Sequence, residues 1–146
     1  MNDLLLVIVL AGRRAVLPAI VVNSVIELGE VTPVPRTAAH VTGLAALRSR
    51  PLTLIDCALS LDPSREPTDP STCRAVVVEH EGHLYGLLVE AADDIVAARS
   101  EAGPLGADPG PGWSRIAIGR VETEVGALPF LDIAAIIAGP DEALAA

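Results

Sequence analysis

Three groups of residues in this 146-residue chain carry side chains of the kind that bind metals or catalyse reactions. Glu79-His80-Glu81-Gly82-His83 sets two imidazoles and two carboxylates side by side, both common zinc donors. Asp56-Cys57 joins a carboxylate to a thiol, and Glu90 with Asp93-Asp94 forms a carboxylate group of the type that takes Mg²⁺. Each falls short of a site. Glu81-Gly82 reads as a two-residue hairpin turn with the histidines at its ends, and two imidazoles need a third ligand and a supporting shell. A nucleophilic thiol needs a base and an electropositive setting, whereas Cys57 lies in an apolar run where burial raises its pKa. No glycine cluster fits a phosphate-cradling loop that would give the acidic group a nucleotide to serve. The chain therefore reads as a non-enzyme without cofactor or metal. A small metal-dependent enzyme built on His80 and His83 stands as the alternative from another class.

The elements that would position these residues are short and mostly β. Leu4–Leu10 is an apolar run with Asp3 ahead of it and Arg13-Arg14 behind. It lacks the basic start of a signal peptide and is too short to span a membrane, so it reads as a buried first strand. Gly12-Arg13 marks a turn, and Ala15–Val25 a strand pair broken near Pro18. Thr32-Pro33-Val34-Pro35 is extended, because a residue before proline is pushed out of the helical region. Val41, Leu44 and Leu47 recur at three-residue spacing, which predicts a short helical or irregular turn over Ala38–Leu47, broken by Gly43. Leu52–Ile55 is a buried strand, and Asp56 stands as N-cap to a helical turn at Cys57–Leu61. The proline-rich stretch 62–72 is a loop. Ala75–Val78 and Leu84–Val89 form a hairpin, Ile95–Ala98 a further strand, and 103–112 a second loop. Ile116–Ile118 and Val125–Leu131 are late strands, and Asp132 precedes a last apolar turn ending near Gly139-Pro140. The two halves rhyme: Thr53–Leu59 matches Pro129–Ala135 at a constant offset, each an apolar strand, an aspartate and a small apolar helix. Short strands in a repeated plan predict two small barrels.

Composition narrows the class. Hydrophobic residues make up 51% of the chain, enough for a packed core, but Tyr85, Trp113 and Phe130 are the sole aromatics, so that core is aliphatic. The net charge is −9 and all ten basic residues are Arg. Nucleic acid is an improbable partner for such a chain, since phosphate contact needs clustered positive charge. Residues 1–73 hold 6 Arg against 7 acids, and 74–146 hold 4 against 12, so the acidity belongs to the second half. With no export signal and no span, a cytoplasmic location with Cys57 and Cys73 as reduced thiols is expected, and no membrane insertion.

From Val41-Thr42-Gly43-Leu44-Ala45-Ala46-Leu47-Arg48 to Leu54-Ile55-Asp56 the sequence resembles the CheW family of chemotaxis coupling proteins. That family shows a stretch like Val/Ile-x-Gly-x-x-Asn-Leu-Arg-Gly followed by Pro-Val/Ile-Ile/Val-Asp-Leu, and Gly43, Leu47, Arg48, Ile55 and Asp56 fall at matching positions. Leu17-Pro18, Val22, Thr32–Pro35, Gly86–Glu90 and Leu131-Asp132 also resemble family segments, in order along nearly the whole chain. The chain departs from the pattern at Ser24, Ala46, Ser49, Arg50 and Thr53. The resemblance implies an all-β fold of two intertwined, small SH3-like β-barrels with short helical segments, forming one domain over 1–146 whose subdomains share strands. It implies a non-catalytic adaptor that couples the cytoplasmic tip of chemoreceptors to the regulatory domain of the histidine kinase CheA. Val22, Ser24 and Arg48 would then lie near a receptor-binding groove between the barrels. A divergent module of another signalling system is the second reading.

Overall fold

The computed structural model describes residues 4–35, 37–104, 110 and 112–140, apart from the side chain of Asp93. Ten strands alternate with three short helices: β1 (Leu4–Leu10), β2 (Arg13–Pro18), β3 (Val22–Glu27), β4 (Val41–Leu47), β5 (Arg50–Asp56), α1 (Cys57–Leu61), β6 (Arg74–His80), β7 (His83–Val89), β8 (Ala91–Ala97), α2 (Trp113–Ile116), β9 (Ala117–Thr123), β10 (Gly126–Leu131) and α3 (Ile133–Ala138). They form two five-stranded sheets, ordered β8-β1-β2-β10-β9 and β3-β6-β7-β5-β4.

The sheets are built alike. In each, a hairpin (β1–β2 or β6–β7) is flanked on its second strand by a parallel strand (β10 or β5), which pairs in turn with an antiparallel edge (β9 or β4). The remaining edge is the strand that follows the other sheet's hairpin in the chain. The chain leaves β2 through a 3-10 turn at Ala19–Val21, and β3 pairs with β6 of the other sheet; it leaves β7 through Glu90, and β8 pairs with β1. Pro18, which has no N–H to give a ladder, stands where β2 ends.

The rhyme between the halves has a structural counterpart. Asp56 closes β5 and caps α1 through the Leu59 N–H; Asp132 follows β10 and caps α3 through the Ala134 and Ala135 N–H groups. Gly43 and Gly119 form a second equivalent pair. Beside Gly43, Thr32 and Leu44 exchange two backbone hydrogen bonds of 2.8 Å, and beside Gly119, Gly103 and Arg120 exchange bonds of 2.8 and 2.9 Å. A Cβ on either glycine would strike the carbonyl of the bridging residue, Thr32 or Gly103.

The apolar run of β1 is continuous because both faces are covered. Leu6, Ile8 and Leu10 join the central core between the sheets, while Leu5 and Val7 join a separate cluster within the first sheet. In β6, Val76 and Val78 point to the same central core, and Ala75 and Val77 to the inside of the second sheet.

Two expectations need correction. Val41–Leu47 is a strand, not a helical or irregular turn: the register of β4 against β5 shifts between Val41 and Gly43, and that extra residue puts Val41 and Leu44 on one face while Leu47 falls on the other. The first of the late strands is also displaced, since Ile116 closes the helical turn α2 and β9 begins at Ala117. Gly112 starts that turn at φ 83°, where a Cβ would meet the Leu61 carbonyl. The 62–72 loop runs between α1 and β6 as expected; much of the 103–112 loop lies outside the described residues.

Arg115 on α2 ties the helices together. Its guanidinium donates to the Ala135 carbonyl of α3 at 2.7 Å and to the Ser60 carbonyl of α1 at 2.6 Å, and Ser60 Oγ donates to the Ile136 carbonyl at 2.8 Å. Burial lowers the Arg115 pKa from its usual range. The cation is held by carbonyls from the equivalent helices of both halves.

Candidate functional site

The β4–β5 hairpin turns at Arg48 and Ser49, with φ of 51° and 70°. Both central residues of this turn are left-handed, the geometry of a type I′ hairpin. The β1–β2 tip (Ala11-Gly12) and the β6–β7 tip (Glu81-Gly82) have the same shape, but each places glycine second. Ser49 is thus a non-glycine residue where the other two such turns among the described residues use glycine. Ser49→Gly is expected to raise stability by about 0.5–1 kcal/mol, read as a higher urea midpoint with an unchanged slope.

Arg48 is exposed and makes no hydrogen bond or ion pair among the described residues. Its planar fork of donors faces solvent. Val22 and Ser24 stand on β3, both half-buried, opposite Val78 and Val77 of β6. One row runs across the second sheet from Val22 through Val78, Tyr85 and Thr53 to Leu44. Because β5 and β7 are parallel neighbours, the Arg48-Ser49 and Glu81-Gly82 tips project from the same end of the sheet, and Val22 begins β3 at that end. The three residues lie on opposite edge strands, and no hydrogen bond or ion pair links them.

The charges at this end are divided. Arg48 and Arg50 stand exposed at the β4–β5 tip, Glu79 and Glu81 at the β6–β7 tip. The corresponding end of the first sheet reverses both signs. Its β9–β10 tip carries exposed Glu122 and Glu124, and its β1–β2 tip exposed Arg13 and Arg14 beside the one carboxylate of Glu90. Arg13 also lies over the Trp113 ring, 4.7 Å from its centroid. Two ends of one architecture therefore present opposite charge patterns.

The residues singled out for chemistry take other places. His80 and His83 face one another across the hairpin, and His80 Nε2 lies 3.8 Å from Glu81 Oε2 on an exposed tip. Among the described residues no three His, Cys, Asp or Glu side chains are grouped to hold a metal. His80→Ala/His83→Ala is expected to shift unfolding by no more than about 0.5 kcal/mol; bound zinc in the purified wild type, with a large loss of stability in the variant, would contradict that. Cys57 is buried in the central core, where burial first and the Asp56 carboxylate second push its thiol pKa up. It is a small core residue. Glu90 does more than face solvent, since it accepts the Gly12 N–H at 2.7 Å and so fastens the β1–β2 tip.

The CheW-like domain description matches residues 4–140 of the sequence. The chain belongs to the CheW-like domain family. Among solved structures, this CheW-like chain is similar to the scaffolding protein TtCheW from Thermoanaerobacter tengcongensis, with a TM-score of 0.78 and 19% identity, covering 91% of this chain and 90% of that one. At that identity the likeness speaks for the fold. Among curated proteins, none matches the sequence. The family is one of non-catalytic adaptors in chemotaxis signalling that act through protein–protein contacts. The mainly β fold of two sheets with few short helices agrees with the architecture that the resemblance implies. No helix among the described residues is long and apolar enough to cross a membrane.

Proposed function

We propose that this CheW-like chain is a cytoplasmic coupling protein that holds the tip of a chemoreceptor and the regulatory domain of the histidine kinase CheA at once. The observation that carries the reading is the reversed charge on two equivalent sheet ends: Arg48 and Arg50 answer to Glu122 and Glu124, and Glu79 and Glu81 to Arg13 and Arg14. An adaptor needs two surfaces that do not compete for one ligand, and charge reversal on a shared frame separates partners by repulsion as well as attraction. Arg48, Val22 and Ser24 form the receptor side in this reading, at the end of the second sheet. In this reading the two sheets work as one domain, which is supported by each sheet joining a hairpin of one half to three strands of the other. The test is titration of the whole protein with a receptor-tip fragment and with the kinase regulatory domain, separately and together. Simultaneous binding of both is the expected result. Binding of neither would assign the module to another signalling system, and mutual displacement would remove the coupling role.

A further inference from the structure

The internal repeat serves as its own control for a groove at the mouth of the first sheet. In the second sheet, the segment running from the end of β3 to the Thr32 bridge is Leu28-Gly29-Glu30-Val31, and both Leu28 and Val31 pack on the cluster inside that sheet. The space left there is about 230 Å³. The equivalent segment of the first sheet, from the end of β8 to the Gly103 bridge, is Ala98-Arg99-Ser100-Glu101-Ala102. Of these, Ala98 alone joins the cluster inside the first sheet. No large aliphatic side chain closes the mouth from this segment, and among the described residues an open groove of about 1080 Å³ remains, lined by Leu5, Val121 and Phe130. Ile20 on its rim is 93% exposed.

We propose that this groove receives a segment of a partner protein bearing two aliphatic side chains three residues apart, next to a carboxylate. The aliphatic pair is what the sister sheet uses in the same place. The carboxylate follows from charge. Leu28 and Val31 are accompanied by Glu27 and Glu30, and Glu27 lies 3.9 Å from Arg74, whereas the first sheet's rim offers Arg99, exposed and in no ion pair among the described residues. Glu101 on the same rim repels a carboxylate on its own side, so the segment enters with its acid toward Arg99. This goes beyond the proposed function, because the groove contains none of Val22, Ser24 or Arg48 and its occupancy is decided independently of the receptor and kinase titrations.

The probe is an acetylated, amidated peptide of this chain's own sequence from Val25 to Thr32, titrated into the ¹⁵N-labelled whole protein and followed by NMR. Shifts confined to the amides of Leu5, Ile20, Ala98–Ala102, Val121 and Phe130 are expected. Arg99→Glu should weaken binding by about two- to fivefold, the range of an exposed ion pair, and Arg99→Leu/Ala102→Val, which rebuilds the sister plug, should abolish it. Should the doubly substituted protein fail to fold, the Arg99→Glu titration decides. No shifts at millimolar peptide would overturn the proposal and mean that the groove is already covered. Shifts elsewhere, or an affinity indifferent to Arg99, would overturn it too. Concentration-dependent self-association that blocks the peptide and vanishes on plugging would replace the partner segment with a second copy.

Discussion

Asp56→Ala is expected to destabilise the protein by about 2–4 kcal/mol, and Asp132→Ala, at the equivalent place in the repeat, by about 1 kcal/mol. The two aspartates cap equivalent helices, so local sequence alone would give them equal weight. Their surroundings differ. Asp56 is 2% exposed and accepts three hydrogen bonds, from the Leu59 N–H at 3.1 Å, the Thr68 N–H at 2.8 Å and the Thr68 hydroxyl at 3.0 Å. It therefore fastens the 62–72 loop as well as opening α1, and its loss strands the Thr68 amide in a half-buried place. Among the described residues Asp132 accepts only from its own helix, at 3.0 and 3.4 Å, near solvent that can replace it. Losing an N-cap costs about 0.5–2 kcal/mol, and a buried donor left unpaired about 1–3 kcal/mol more. Urea unfolding of both variants, compared at constant slope, reads the difference. Equal losses would mean that the Thr68 contacts add nothing to stability.

Arg48→Glu should cost about 2–4 kcal/mol of affinity for the receptor tip, or roughly 30- to 1,000-fold, while leaving the fold intact. Stability should move by no more than about 0.5 kcal/mol, because the guanidinium makes no hydrogen bond or ion pair among the described residues. The backbone at φ 51° also suits glutamate, since Glu81 occupies the same position of the neighbouring tip at the same angle. Reversing the charge makes the β4–β5 tip acidic, like the Glu79 and Glu81 tip beside it, and replaces attraction with repulsion. Wild type and variant are titrated against receptor tip and kinase domain in turn, with circular dichroism as the fold check. Unchanged affinity for both partners would sink the assignment of Arg48.

What could be read in the sequence depended on whether a signal was local. Asp56 before Cys57–Leu61 and Asp132 before the last apolar turn were legible because an N-cap is written in adjacent residues. The β6–β7 hairpin was legible from Glu81-Gly82 between two apolar runs. β4 was not, because its bulge hid the period of two, and α2 was not, because a four-residue turn shows no period at all. Arg115 and Thr68 carried no signal: the carbonyls and carboxylate that they meet belong to distant segments. The crossing of strands between the halves was likewise invisible to pattern, and the expectation of intertwined barrels came from family resemblance. At the site, Arg48 came from the family resemblance, and its place in a tight turn, like the reversed charges of equivalent tips, became apparent only in the folded chain.

The crossing of strands between the two halves also orders events in time. A ribosome delivers β1 and β2 first, yet their sheet needs β8, β9 and β10 and is not complete until Leu131 has emerged; the other sheet, which begins later, is complete by Val89. The first hairpin must therefore wait, with its apolar faces uncovered, while the second sheet closes around β3. Its partners are remote in sequence, and chains dominated by such remote pairings fold slowly. Fragments cut within 62–72 would each lack strands that their sheets require, and neither would hold a complete sheet until mixed with the other.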